Sequence, residues 1–323
     1  MAIVRLSQED YFLGISTGQR AILSKAITLV ESTLPSDKIL AKELLKLILP
    51  LTGKSFRLGI SGVPGVGKST FIEIFGKLLL QEGKKLAVLT IDPSSKRTAG
   101  SILGDKTRMS QLSAMEEVFI RPSPSSNLLG GVGRCTAESI LLCEAAGYDF
   151  IIIETVGVGQ SEIQVKNLVD YFMVMLLPGG GDDLQGIKKG IIEEADLIVI
   201  NKAEEATIAL ALESKCYYEG ALNLLHEHKK VLLSSTKTQM GMAEIVAEIL
   251  AKEKELTSNG LILKNRQEQK VARLKTELPN RLEEMFFAIP GIKQHWHLIE
   301  IKILANEITV EQGLDELIAC FRP

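Results

Sequence analysis

The chain has 323 residues, and its 37 Lys and Arg against 40 Asp and Glu leave a formal charge of −3. A hydrophobic content of 46% with 24% charged residues is that of an ordinary globular protein and argues against disorder. The balance gives no general attraction to nucleic acid or anionic lipid, and no apolar run approaches the ~20 residues of a membrane span.

The first ten residues carry acids early and lack a long apolar core, so they do not read as a secretory signal. Cys135, Cys143, Cys216 and Cys320 are scattered without a CxxC pair, which favours reduced thiols over disulfides or zinc and predicts a cytoplasmic location. Residues 1–50 read as a helical extension. Ile22, Ala26, Leu29 and Val30 recur at helical spacing, and a second pattern runs from Asp37 to Leu49 until Pro50 stops it.

From Phe56 the pattern changes. Apolar runs at Phe56–Ile60, Lys85–Ile91, Asp149–Ile153, Tyr171–Leu177, Asp196–Ile200 and Lys230–Leu233 alternate with helix-length amphipathic stretches. Short strands apolar on both faces are what a mostly parallel sheet covered by helices requires, so residues 51–255 are predicted to form an α/β domain. Residues 256–323 read as helical again, with a break at Pro290-Gly291. The last helix carries Val310, Leu314, Leu317, Ile318 and Phe321, and Thr309 with Gln312 has the spacing of a capping box.

The strongest chemical signal is Gly62-Val63-Pro64-Gly65-Val66-Gly67-Lys68-Ser69, followed by Thr70. It lies between a predicted strand and the predicted helix Thr70–Gln81, the setting in which a glycine-rich loop cradles phosphates with backbone N–H groups. Lys68 supplies a positive charge to the β- and γ-phosphates, Ser69 a hydroxyl for Mg²⁺, and the helix N-terminus a favourable potential. A chance glycine-rich turn is the bland alternative, and the strand–helix context weighs against it.

Such a site needs a carboxylate at a strand end. Asp92 follows Ile91 and Glu154 follows Ile153; Asp105 stands in the polar segment between them, which reads as a loop over the phosphates. An isolated acid there serves as well as a helix N-cap, but beside the phosphate loop these become candidate metal and switch acids. Glu154-Thr-Val-Gly157 has the shape of a nucleotide-sensing segment. Val158 stands where Ras-type enzymes place a water-orienting Gln, and Gln160 follows two positions on, so slow unaided hydrolysis is expected.

After Ile200 come Asn201-Lys202-Ala203-Glu204. GTPases use Asn-Lys-x-Asp here, the carboxylate accepting from guanine N1–H and the 2-amino group, while adenine offers an acceptor that the carboxylate repels. Glu204 departs from that pattern by one methylene, about 1 Å, which bears on guanine affinity. Ser234-Ser235-Thr236, after the strand Lys230–Leu233, is placed like the short loop whose amide contacts guanine O6.

These motifs, in this order, resemble the MeaB/ArgK family of P-loop GTPases, which includes the mitochondrial methylmalonic-aciduria type A protein. The resemblance runs through Ala26–Ser32, Gly62–Thr70, Asp92–Ser95, Gly100–Met109, Ile120–Ser125, Leu141–Asp149, Glu154–Glu162, Pro178–Gly190 and Asn201–Glu204. It implies a GTP/GDP- and Mg²⁺-binding domain and a C-terminal helical region used for homodimerisation. It also implies GTP hydrolysis coupled to loading, protecting and reactivating an adenosylcobalamin-dependent acyl-CoA mutase of the methylmalonyl-CoA type. Carried over by motif, Lys68 and Ser69 hold phosphates and metal, and Asp92, Asp105 and Glu154 are the metal and switch acids. Gly179–Lys189 becomes a switch segment that relays nucleotide state, with Asp182, Gln185 and Lys188 serving partner-dependent hydrolysis. Glu204 and Thr236, where the family usually has Asp and Ala, both touch the base pocket. Some relatives carry instead the description of an ATPase or kinase for periplasmic lysine/arginine/ornithine-binding proteins, and Glu204 keeps that reading open. The pairs His226/His228 and His295/His297 would not face one another on helices, which disfavours a metal-carrying role. Trp296 reads as a packing anchor.

Overall fold

A computed structural model of the chain describes residues 5–92, 109–124, 131–155, 165–179, 189–225 and 229–320, with the side chains of 92, 123, 124, 131–134 and 189 excepted. Asp105, Gln160, Asp182, Gln185, Lys188 and the pair His226/His228 lie outside the described residues, as does the side chain of Asp92.

Three helices open the chain: α1 (Gln8–Ser16), α2 (Arg20–Val30) and α3 (Pro35–Ile48). Pro35 suits the first turn of α3 because its missing N–H is not needed there. Pro50 does not cut the chain off abruptly; it sits in a 3₁₀ turn, Leu49–Leu51, that tightens the helix end. The central domain follows with β1 (Phe56–Gly62), α4 (Lys68–Gln81), β2 (Leu86–Asp92), β3 (Val118–Pro124), α5 (Gly131–Ala145), β4 (Phe150–Thr155) and β5 (Tyr171–Leu176). It continues with α6 (Lys189–Glu194), β6 (Leu197–Ile200), α7 (Ile208–Leu224), β7 (Lys230–Leu233) and α8 (Met242–Ser258).

The strands form one seven-stranded sheet in the order β3-β2-β4-β1-β5-β6-β7, every described pair parallel. Six strands coincide with the apolar runs of the sequence, and β3 is an addition. Its segment, Val-Phe-Ile-Arg-Pro-Ser-Pro, holds two prolines, which reads as a break, yet proline is tolerated on an edge strand and β3 is an edge. At the opposite edge stands β7, only four residues long, with Lys230 exposed.

Alternation along the strands divides the core in two. Leu89, Ile151, Ile153, Phe172, Val174 and Ile198 pack with the helices α1–α3, α5 and α7 on one face. Leu58, Ile60, Val88, Ile152, Met173 and Val199 pack with α4 and α8 on the other. The N-terminal helices thus share a core with the sheet: Leu23, Ile27 and Leu44 are fully buried in it.

The chain divides into two compact units, Met1–Gln267 and Glu268–Pro323. The division falls within α9 (Leu261–Phe287), which continues through Pro279. In the second unit α10 (Ile292–Leu304) starts after Gly291, where the sequence places its break, and α11 (Val310–Ala319) is opened by a complete capping box between Thr309 and Gln312. Ile292, Ile299 and Leu317 form a small core there with Phe286, Phe287 and Ile303. Trp296 packs against Phe287 with ring centroids 5.3 Å apart, in keeping with its reading as an anchor.

Candidate nucleotide-binding site

The site residues collect where the carboxyl ends of β1, β4, β6 and β7 meet, the edge at which open parallel sheets bind ligands. β1 ends at Gly62, where a Cβ would lie 2.4 Å from the carbonyl oxygen of Met175 on β5, so any side chain would push the loop off the sheet. The chain turns through Val63–Gly67 and enters α4 at Lys68. Val63 and Val66 are buried and pin the loop to the core, leaving Pro64 and Gly65 exposed at its tip. Gly67 has φ +95 and would present a Cβ 3.1 Å from Asn201 Nδ2, so glycine is required both by conformation and by space. The N-terminus of α4 therefore faces the loop, with Ser69 and Thr70 in its first turn.

Lys68 is buried, and its Nζ donates to the carbonyls of Gly62 at 2.7 Å and Val63 at 3.3 Å. The ammonium thus lies within the arc of the loop, where a phosphate would need its charge. Ser69 Oγ donates to Glu154 Oε1 at 3.2 Å. Glu154 stands on β4 opposite Ile60 of β1 and Thr90 of β2 and is only 6% exposed. A hydroxyl and a carboxylate oxygen this close form a hard-oxygen pair, the donor chemistry that suits Mg²⁺. Asp92 ends the neighbouring strand β2, one residue beyond Ile91, which pairs with Thr155. Among the described residues no cluster of three His, Cys, Asp or Glu side chains could hold a metal.

The loops expected to face the base follow β6 and β7. Asn201, fully buried, donates from Nδ2 to the carbonyl of Val66 at 2.8 Å and accepts from Ser234 Oγ at 3.0 Å. Ser234 N–H donates to the carbonyl of Ile200 at 2.8 Å, and Ala203 N–H to that of Ser234 at 2.9 Å, so the two loops are laced together. Lys202 takes φ +61, an unusual conformation for a side-chain-bearing residue, held by Thr207, whose hydroxyl donates to the Lys202 carbonyl. Ser235 N–H donates to the carbonyl of Met240, closing the turn that carries Thr236. Glu204 Oε2 lies 3.7 Å from Lys237 Nζ, both side chains at the surface.

Sequence reasoning brought Gly62–Thr70, Glu154, Asn201–Glu204 and Ser234–Thr236 to one sheet edge, and the geometry does the same. Three residues at this edge escaped it. Thr155 donates to Ser61 at 3.0 Å, a buried hydroxyl pair joining β4 to β1 directly beneath the phosphate loop. Their positions beside Glu154 and Gly62 were the only available signal. Lys237, one residue past the predicted base loop, carried none.

Fold and loop together define a P-loop nucleoside-triphosphate-binding α/β protein. The model of the methylmalonyl-CoA mutase-associated GTPase MeaB family matches residues 23–290, and the chain belongs to that family. It is 45% identical to the GTPase ArgK of Escherichia coli over 93% of this chain and 92% of that protein. It is 43% identical to the mitochondrial methylmalonic aciduria type A homolog of Mus musculus over 96% of this chain and 79% of that one. A crystal structure described as a LAO/AO transport system kinase superposes with a TM-score of 0.77 at 35% identity, covering both chains completely. The protein is accordingly a GTPase that binds guanine nucleotide. No helix among the described residues is long and apolar enough to cross a membrane.

Proposed function

We propose that this GTPase is a chaperone of an adenosylcobalamin-dependent acyl-CoA mutase of the methylmalonyl-CoA type, which it loads, protects and reactivates in step with its nucleotide cycle. The observation that carries the reading is the family match over residues 23–290, whose description names the mutase. The mouse relative, named for methylmalonic aciduria, supports it. The protein acts in the cytoplasm as a homodimer through the helical region 256–323, with no nucleic-acid partner. On α9 the exposed Val271, Leu274, Leu278, Leu282 and Met285 follow a three–four spacing suited to a second helix.

In this reading the backbone amides of Gly62–Thr70 and the Lys68 ammonium bind the phosphates, and Asn201 ties that loop to the base pocket. Glu204 accepts from guanine, Lys202 lies along the base plane, and Ser234–Thr236 present an amide to O6. Ser69 and Glu154, with Asp92 and Asp105, would hold Mg²⁺, which when bound offsets charge on the phosphate oxygens. Gln160, Asp182, Gln185 and Lys188 take part in hydrolysis once the client engages, and turnover is slow without it.

The test is GTP turnover by the pure protein, alone and with excess mutase. Strong stimulation supports the proposal; turnover indifferent to any such mutase sinks it. A second reading, an ATPase or kinase tied to periplasmic lysine/arginine/ornithine transport, is favoured by the structural neighbour's description and by Glu204. The same assay with ATP separates the two.

A further inference from the structure

Helix α7 is apolar around most of its circumference, and its buried face is Ala211, Ser214, Tyr218 and Leu222. A buried serine in such a face costs more than alanine unless its hydroxyl is used. Ser214 Oγ accepts from Gly179 N–H at 2.9 Å, 35 residues away, and Ser214 is 6% exposed. Gly179 has φ +73, and Leu210 Cδ1 lies 3.6 Å from where its Cβ would be. Two successive turns of α7 thus rest on the first residue of the Gly179–Lys189 segment.

The N-terminus of α7 is fixed to the base loop. Thr207, its N-terminal flanking residue, accepts from Glu204 N–H at 3.0 Å and donates to the Lys202 carbonyl. Ser214 stands seven residue steps beyond this anchor, about 10 Å along the axis. A change in the base loop reaches Gly179 through one short rigid element, and the Ser214 hydroxyl is its polar contact.

We propose that Ser214 is a positioning residue: it fixes Gly179 and so carries the state of the guanine pocket to the segment that begins there. The inference rests on the reading of Gly179–Lys189 as the relay to the client. It assigns a role to a residue outside the phosphate, metal and base motifs.

The test compares Ser214→Ala and Ser214→Thr with the parent, in the full chain. Alanine is the better helix former, so α7 should remain intact. Amide exchange of peptides spanning Gly179 is measured by mass spectrometry without nucleotide and with GDP, which differ in whether the guanine pocket is filled. In Ser214→Ala the Gly179 amide should exchange about tenfold faster, as expected for one lost hydrogen bond, and its response to nucleotide should fade. Peptides from the base loop should be unaltered, and Ser214→Thr, which retains an acceptor, should restore protection. Unchanged exchange at Gly179 in Ser214→Ala overturns the proposal, as does equal acceleration throughout the chain. In a parallel arm, Ser214→Ala should retain unstimulated turnover and GDP affinity while losing most mutase stimulation; retained stimulation also overturns the relay role. If the parent itself shows no stimulation, the mutase reading fails, and the exchange arm alone decides Ser214.

Discussion

Arg266 grips Asp170 with two parallel hydrogen bonds, Nε to Oδ1 at 2.7 Å and Nη2 to Oδ2 at 2.6 Å, although 96 residues separate them. The same guanidinium donates to the carbonyls of Gly53 and Ser55 and lies 3.5 Å from Glu144, which also pairs with Arg57 at 2.9 Å. Two arginines and two carboxylates, all shielded from water, thus join the starts of β1 and β5 to α5 and α9. Burial on this scale is costly unless every charge is met, and here each is. Arg266→Ala strands Asp170, and the expected loss is about 3–5 kcal/mol in urea unfolding. Arg266→Met with Asp170→Leu, which removes both charges, should recover part of it. A single variant within about 1 kcal/mol of the parent would show the cluster to be dispensable.

A second ion pair predicts acid behaviour. Arg5 donates to both oxygens of Asp37, at 3.1 and 2.6 Å, and these hydrogen bonds hold the Asp37 carboxyl below its ordinary range. A carboxylate depressed on folding contributes stability fully above its unfolded value of about 3.9, and that contribution disappears as pH falls through the lower folded value. Asp37→Asn should therefore be less stable than the parent at pH 6, and the gap should narrow on the acid side of about pH 4. Thermal unfolding across pH 2–6 measures it; a constant gap refutes the assignment.

The Glu204 carboxylate can be tested through its length. Glu204→Asp should bind GDP about five- to tenfold more tightly, a change near 1 kcal/mol, by titration calorimetry. Equal affinity would mean that the longer side chain already fits the base. The Lys237 partner is exposed, so Lys237→Ala should alter affinity less than about fivefold, and the difference should vanish in high salt.

Leu274 and Leu278 on α9 are 68% and 54% exposed. Replacing both by Glu leaves the described cores untouched and should convert the proposed dimer to a monomer by light scattering. A parent that is itself monomeric, or a doubly substituted dimer, rejects the α9 stripe as the seam.

The elements that meet at the candidate nucleotide site are legible because their signals are local: a glycine-rich octapeptide between strand and helix, an acid at a strand end, Asn201-Lys202 after another. Strand β3 was hidden because Pro122 and Pro124 look like a stop, and only its position at the sheet margin makes them acceptable. Arg266 was hidden for a different reason. In a helix crowded with Lys, Arg and Glu it looks like any solvated charge, and its partners lie 96 and 122 residues away. Ser214 and Thr155 are small hydroxyls whose purpose exists only once strands and helices are assembled.

The two margins of the sheet have a consequence for how copies of the chain can meet. Pro122 and Pro124 strip two donors from β3, and β7 offers four residues with a charged lysine at its start. Neither margin is a good template for adding a strand from another molecule, which disfavours ribbon-like polymerisation in a crowded cell. The proposed seam on α9 avoids both margins, and contacts between helices can open and reclose without unravelling the sheet.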